Sequence, residues 1–166
     1  MVKSLKENGY VKKGNMNIGD YMKINVTHRL SSYQVRVPNW SGSENIRCPF
    51  KPWANRQLLP WYQAYNTTKH NRHEEFENAT FEHLLDAACG LLVLLSAQFA
   101  TNAFSPGPVF LSLHYGPNDG MESGIGDYFR VKFPDDWPDE MKYEFDWQTL
   151  QKEDDPFQTI DYSKIA

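Results

Sequence analysis

From Trp61 to Phe99 the chain carries no proline and a single glycine, Gly90. No other stretch of this sequence constrains the fold as strongly, because helical spacing runs through all of it. Pro60 stands just before the stretch, where a proline suits the first turn of a helix and its missing N–H costs nothing. Pro106 and Pro108 follow it and end any helix that reaches them. At about 100° per residue, Ala88, Leu91 and Leu95 fall within about 40° of Leu84, so these four define an apolar stripe expected to face the core. Projected backwards, the same stripe passes through Glu77, His73, His70 and Asn66. Polar side chains on a core-facing line cost free energy unless they find partners. They would form a satisfied network, line a pocket, or mark the end where the helix leaves the core. A continuous helix from 60 to 99 would be about 60 Å long, whereas a compact chain of this length has a radius of gyration of about 15 Å. The helix is therefore expected to break near Asn66-Thr67-Thr68, which leaves one long buried helix over about 70–99.

The flanks read as short strands and loops. Tyr33, Val35 and Val37 alternate with Gln34 and Arg36, the period of a half-buried strand, and Pro38 closes it. Residues 1–20 read as a loose polar lead-in, and 20–38 as partly extended. Residues 39–59 are a connector whose prolines, Pro49 and Pro52, stand among Cys48, Phe50 and Trp53, so its aromatics are expected to pack on the core. Val109 to Tyr115 and Asp127 to Phe133 read as strands that pair across a Gly-rich loop. Tyr143, Phe145 and Trp147 allow a further strand. The expectation is an α+β fold in a single domain over 1–166: a long buried central helix packed by short antiparallel strands and aromatic-rich loops.

Composition narrows the function classes. The chain has 166 residues, 40% hydrophobic and 23% charged, with a net charge of −4, which describes a globular chain rather than a disordered one. A chain-wide basic footprint for nucleic acid is excluded by that charge, and a local patch is the only route left to it. The first residues hold no apolar core of signal-peptide length. Cys48 and Cys89 lack metal-like spacing and read as free thiols of a reducing, cytoplasmic compartment. In that setting the sequons at Asn25, Asn66 and Asn78 are chance. Leu84 to Ala100 is the one membrane candidate, and it reads as a core helix because it contains Asp86, Ser96 and Gln98 and is short for a span. No membrane association and no cofactor are expected.

Three chemistries compete for the polar end of the helix. His70, His73, Glu74 and Glu77 have spacing that converges on one side of a helix, and two imidazoles with a carboxylate can bind zinc or iron. Further ligands would come from His28, His83 or His114. The same His–carboxylate pairs suit acid–base work. Lys69 and Arg72 lie on a neighbouring side near Tyr65 and Phe76, where a cation among aromatics can grip a phosphate or a base. Their stems can equally cover apolar surface while their heads stay wet. The loop from Gly116 to Asp127 fits neither a calcium loop nor a phosphate loop and reads as a mobile surface loop. No Gly-x-Ser-x-Gly elbow is present, and neither cysteine has the setting of a nucleophile.

The stretch from Trp61 to Arg72, Trp-Tyr-Gln-Ala-Tyr-Asn-Thr-Thr-Lys-His-Asn-Arg, leads into Phe76, Ala79 and a Leu-rich helix ending in Gln98-Phe99. It resembles an uncharacterised bacterial family with the pattern Trp-Tyr-Gln-x-Tyr-Asn-x-x-Lys-His-Asn-Arg. Asn8-Gly9-Tyr10, Asp20 to Ile24 and Leu30 to Val35 look like the same family, so the resemblance covers roughly residues 5–100. Its members carry a helical segment ahead of the Asn-Gly-Tyr point, which implies that this chain is a shortened member. More distantly, the Asn66-x-x-Lys69-His70 element is similar to the helical HEPN superfamily, many of whose members are dimeric ribonucleases of toxin or phage-defence systems. The catalytic signature of that superfamily, an Arg followed four to six residues later by a His, is absent here.

The leading expectation is a soluble protein in which Tyr65, Asn66, Lys69, His70, Arg72, His73 and Glu77 form a core network or a small-ligand pocket. The alternatives are a HEPN-like ribonuclease or nucleotide-processing enzyme, and a metal-binding protein. A homo-oligomer is expected, because the long apolar helix must be covered.

Overall fold

A computed structural model describes residues 1, 5–6, 10–37, 45–99, 119–124, 129–137, 152 and 161–165. It has an α+β fold, and its contacts gather into two compact units, residues 1–29 with 136–166, and residues 30–135.

In the first unit, helix α1 spans Ile18–Met22 and α2 spans Ile24–His28. Two short helices thus stand where the sequence reads as a loose lead-in up to residue 20 and a partly extended chain after it. The local reason is a capping box. The Asn17 side chain accepts from the Gly19 and Asp20 N–H groups, and the Asp20 carboxylate accepts from the Asn17 N–H. Such reciprocal caps satisfy the open donors of a first turn. Burial alone would raise the Asp20 pKa. Hydrogen bonds from Lys12, Tyr10 and the Asn17 N–H outweigh it and hold the group at about 2. A 3₁₀ turn at Tyr162–Lys164 packs near α2, with the Tyr162 hydroxyl 2.6 Å from the Thr27 hydroxyl. The Lys23 ammonium donates to the Ile165 carbonyl. Leu5, Ile24 and Tyr162 are buried in this unit.

The second unit holds the sheet and the longer helices. Strands β1 (Gln34–Arg36), β2 (Ile46–Arg47), β3 (Glu122–Ser123) and β4 (Arg130–Lys132) form one antiparallel sheet in the order β2-β1-β4-β3. Val35 stands opposite Arg47 on one side and Val131 on the other. As the alternation implied, Tyr33, Val35 and Val37 are buried, while Gln34 and Arg36 are half-buried. The strands expected at Val109 to Tyr115 and around Tyr143 to Trp147 lie outside the described residues. The connector does pack its aromatics. A 3₁₀ helix at Lys51–Asn55 buries Trp53, whose ring centroid is 4.7 Å from that of Phe50.

Helix α3 runs Pro60–His70 and α4 runs Phe81–Phe99. The continuous helix expected over about 70–99 is therefore corrected at its start. The break also falls later than Asn66-Thr67-Thr68. The Thr67 hydroxyl bonds back to the Gln63 and Ala64 carbonyls, each at 3.1 Å, so this β-branched stretch stays within the helix with its polar group satisfied. The backbone leaves helical geometry at Asn71 (φ −136°, ψ 62°). A turn follows in which the Glu75 N–H donates to the Asn71 carbonyl, and then a 3₁₀ turn at Phe76–Asn78. Thr80 restarts the helix, its hydroxyl accepting from the His83 N–H at 3.2 Å as an N-cap does.

α4 packs on α3, on β1 and on the 3₁₀ turn at Leu30–Ser32. The face it buries is not the expected one. Leu85, Cys89, Leu92, Val93, Ser96 and Ala97 are buried, whereas Leu84 and Leu91 are 63% and 60% exposed and Ala88 is exposed. Two features turn the helix this way. Arg47 on β2, itself buried, donates to Glu82 at 3.0 Å and lies 3.4 Å from Asp86, so both charges of α4 have a partner on the sheet side. Small residues on that side also permit close approach. A Cβ added at Gly90 would lie 3.4 Å from the Trp61 ring and 3.7 Å from Phe50.

Candidate functional site

α3, the residue 71–80 connector and the first half of α4 line a groove of about 750 Å³. Its apolar wall is built by Trp61, Ala64, Phe76, Phe81, Leu84 and Ala87, and its polar edge by Tyr65, Thr68, Lys69, Arg72 and His83. Volumes of this size suit a small organic molecule. The helices set the wall by spacing. Trp61, Ala64, Tyr65, Thr68 and Lys69 repeat at three and four residues along α3, so they share one face. Phe81, Leu84 and Ala87 do the same on α4.

Hydrogen bonding decides which groups remain for a ligand. The Trp61 indole N–H donates to the Pro49 carbonyl at 2.9 Å, so this residue offers the groove apolar ring surface and no donor. His83 Nδ1 lies 2.9 Å from the Asn78 carbonyl oxygen, which can only accept. That contact makes Nδ1 the protonated nitrogen. The Lys69 ammonium sits 5.5 Å from the centre of the Tyr65 ring, within reach of its π face. Among the described residues, the groove wall thus carries two cations, Lys69 and Arg72, and no carboxylate, in a chain whose net charge is −4. The positive end of the α4 dipole lies at the same end, since Thr80 and Phe81 belong to the wall.

Of the residues expected to form a site, Tyr65, Lys69 and Arg72 come together here. Asn66, half-buried on α3, is not part of the wall. His70, His73 and Glu77 are exposed, and the break at Asn71 puts His73 and Glu77 outside any α-helix. The helical line that joined them to the core stripe does not exist, and they form no buried network. Among the described residues no group of three His, Cys, Asp or Glu side chains gathers as a metal site. Cys48 and Cys89 are free thiols. Burial raises both, Cys89 to about 12, which keeps that sulfur protonated and unreactive.

Sequence reasoning missed the apolar half of this groove. Phe76 is named beside the cations in the sequence analysis, but Trp61, Ala64, Leu84 and Ala87 join it in one wall only through the packing of α3 on α4. It also missed Asp119. This residue was assigned to a mobile loop, yet its carboxylate bridges Arg36 at 2.6 Å and Arg130 at 2.7 Å across the β1–β4 pair. Comparison with protein-family models, with curated proteins and with solved structures finds no match for this chain.

Proposed function

We propose that the protein binds a small amphipathic anion in the groove between α3 and α4. An alkyl or aryl body rests on Trp61, Ala64, Phe76 and Leu84, and a carboxylate or phosphate head reaches Lys69 and Arg72. The observation that carries this reading is the one-sided charge of the wall, which among the described residues has two cations and no acid around an apolar floor. Apolar area supplies affinity and the cations supply orientation, the usual division of labour in ligand pockets. The solvated-stem alternative for Lys69 and Arg72 gives no reason for an open apolar floor beside them.

Calorimetric titration with three ten-carbon probes below their micelle concentrations tests it: decanoate, decanol and decyltrimethylammonium. Decanoate binds saturably and most tightly, decanol more weakly, and the cation least. A charge-assisted hydrogen bond contributes roughly 1.5–3 kcal/mol, so Lys69→Glu with Arg72→Glu lowers decanoate affinity by at least about tenfold and leaves decanol unchanged. Ala87→Phe fills the floor and removes both. Equal binding of the anionic and cationic probes, or no saturable binding of any probe, overturns the reading.

A further inference from the structure

Two neutral polar residues of the groove wall, Thr68 and His83, have spent their donors on the chain itself. Thr68 donates its hydroxyl to the Glu75 carbonyl at 3.4 Å. His83 carries its ring proton on Nδ1, which faces the Asn78 carbonyl at 2.9 Å. A neutral imidazole protonated at one nitrogen keeps a lone pair on the other. His83 Nε2 is therefore an acceptor, and among the described residues nothing in the chain donates to it. A bare carboxylate or phosphate engages the cations Lys69 and Arg72 and leaves this acceptor unanswered.

His83 also has a definite place along the groove. Lys69 stands in the last turn of α3 and Arg72 just beyond it, so the cations lie at the connector end. Trp61 is set about 12 Å back from Lys69 along α3. It marks the apolar end, where its ring lies against the middle of α4 at Gly90. On α4, His83 is about 4.5 Å along from Thr80, and Ala87 is about 6 Å further. The acceptor thus sits nearer the cationic end than the apolar one.

We propose that the anion held in this groove bears a hydroxyl close to its charged head, and that this hydroxyl donates to His83 Nε2. The ligand class is a hydroxy acid with an apolar tail. This assignment rests on the groove binding an amphipathic anion and adds what else that anion carries. The position of the hydroxyl matters as much as its presence. Placed at the tail tip, it would be set among Trp61, Leu84 and Ala87, and burying a hydroxyl against apolar side chains costs free energy.

Calorimetric titration at about pH 8.5, where imidazole side chains are neutral, compares decanoate with two isomers, β-hydroxydecanoate and ω-hydroxydecanoate. The β isomer binds about fivefold more tightly than decanoate, which is what one neutral hydrogen bond contributes. The ω isomer binds about fivefold more weakly than decanoate. His83→Asn keeps an amide donor for the Asn78 carbonyl and has no acceptor at the place of Nε2. In that variant the ratio of β-hydroxydecanoate to decanoate affinity falls to unity, with an unchanged circular dichroism spectrum. A merely structural histidine would change stability and leave that ratio as it is. Decanoate binding that depends on Lys69 and Arg72 but gains nothing from the β-hydroxyl overturns the assignment and leaves the anion site standing. A β preference that survives His83→Asn also overturns it, because the hydroxyl then has another partner. If none of the three acids binds, the assignment and the anion site fall together.

Discussion

Adjacent leucines on α4 separate the observed helix orientation from the one that simple amphipathicity implies. Leu92 is 7% exposed and Leu91 is 60% exposed. Truncation to alanine deletes three carbons, which at about 0.8 kcal/mol per buried methylene is about 2.4 kcal/mol of transfer free energy. At Leu92 the neighbours cannot fully close on the void, so the cavity term adds to this and the expected cost is about 3 kcal/mol, within the range found for buried Leu→Ala changes. At Leu91 only two-fifths of the side chain is shielded and water fills the space, so the cost is about 1 kcal/mol or less. Urea unfolding followed by tryptophan fluorescence reads the difference, because Trp53 and Trp61 both lie in the unit that contains α4. For a chain of this size the Leu92→Ala loss corresponds to a Tm lower by roughly 6–12 °C. If Leu91→Ala costs as much as Leu92→Ala, α4 does not present the faces described and the groove wall built on Leu84 and Ala87 falls with it.

Two further outcomes follow from particular contacts. Asp119 separates the charges of Arg36 and Arg130, which stand opposite each other on β1 and β4. Like charges facing across strands destabilise a sheet, so Asp119→Ala costs about 2 kcal/mol in thermal or urea unfolding, and a loss below about 0.5 kcal/mol, the level of an ordinary surface change, refutes the clamp. His28 has its pKa lowered, chiefly by burial. Its neutral form is the native one, so its contribution is complete above about pH 6.5, the unfolded value, and is lost as pH falls through the folded pKa. His28→Gln flattens the fall in Tm between neutral and mildly acidic pH, and an unchanged slope contradicts the assignment.

The sequence made the fold class legible through two periods. Alternation from Tyr33 to Val37 located β1, and the proline-free stretch after Pro60 located the helices. What it did not disclose was the direction in which α4 faces. The rule that apolar residues turn inward failed because α4 is apolar nearly all round, and a single residue distant in sequence, Arg47, decides which side holds Glu82 and Asp86. The helix break was misplaced for a related reason. Thr67 is a poor helix former by propensity, but its hydroxyl is satisfied inside the helix, while Asn71 is where the backbone turns. The α1 cap is carried by Asn17-x-x-Asp20, inside a segment whose glycines and polar residues read as a loose lead-in. Of the candidate site, the cations Lys69 and Arg72 and their neighbour Tyr65 could be read from the segment itself. The histidines could not be placed correctly, since their alignment assumed a helix that is interrupted.

The most direct test of the central claim is an amide chemical-shift titration of isotope-labelled protein with decanoate. The account predicts saturable shifts concentrated at Ala64, Tyr65, Thr68, Lys69, Arg72, Phe81 and Leu84, and their absence with decyltrimethylammonium at the same concentration. Shifts that do not saturate, or that map to the sheet around Val35 and Val131 instead, would contradict it.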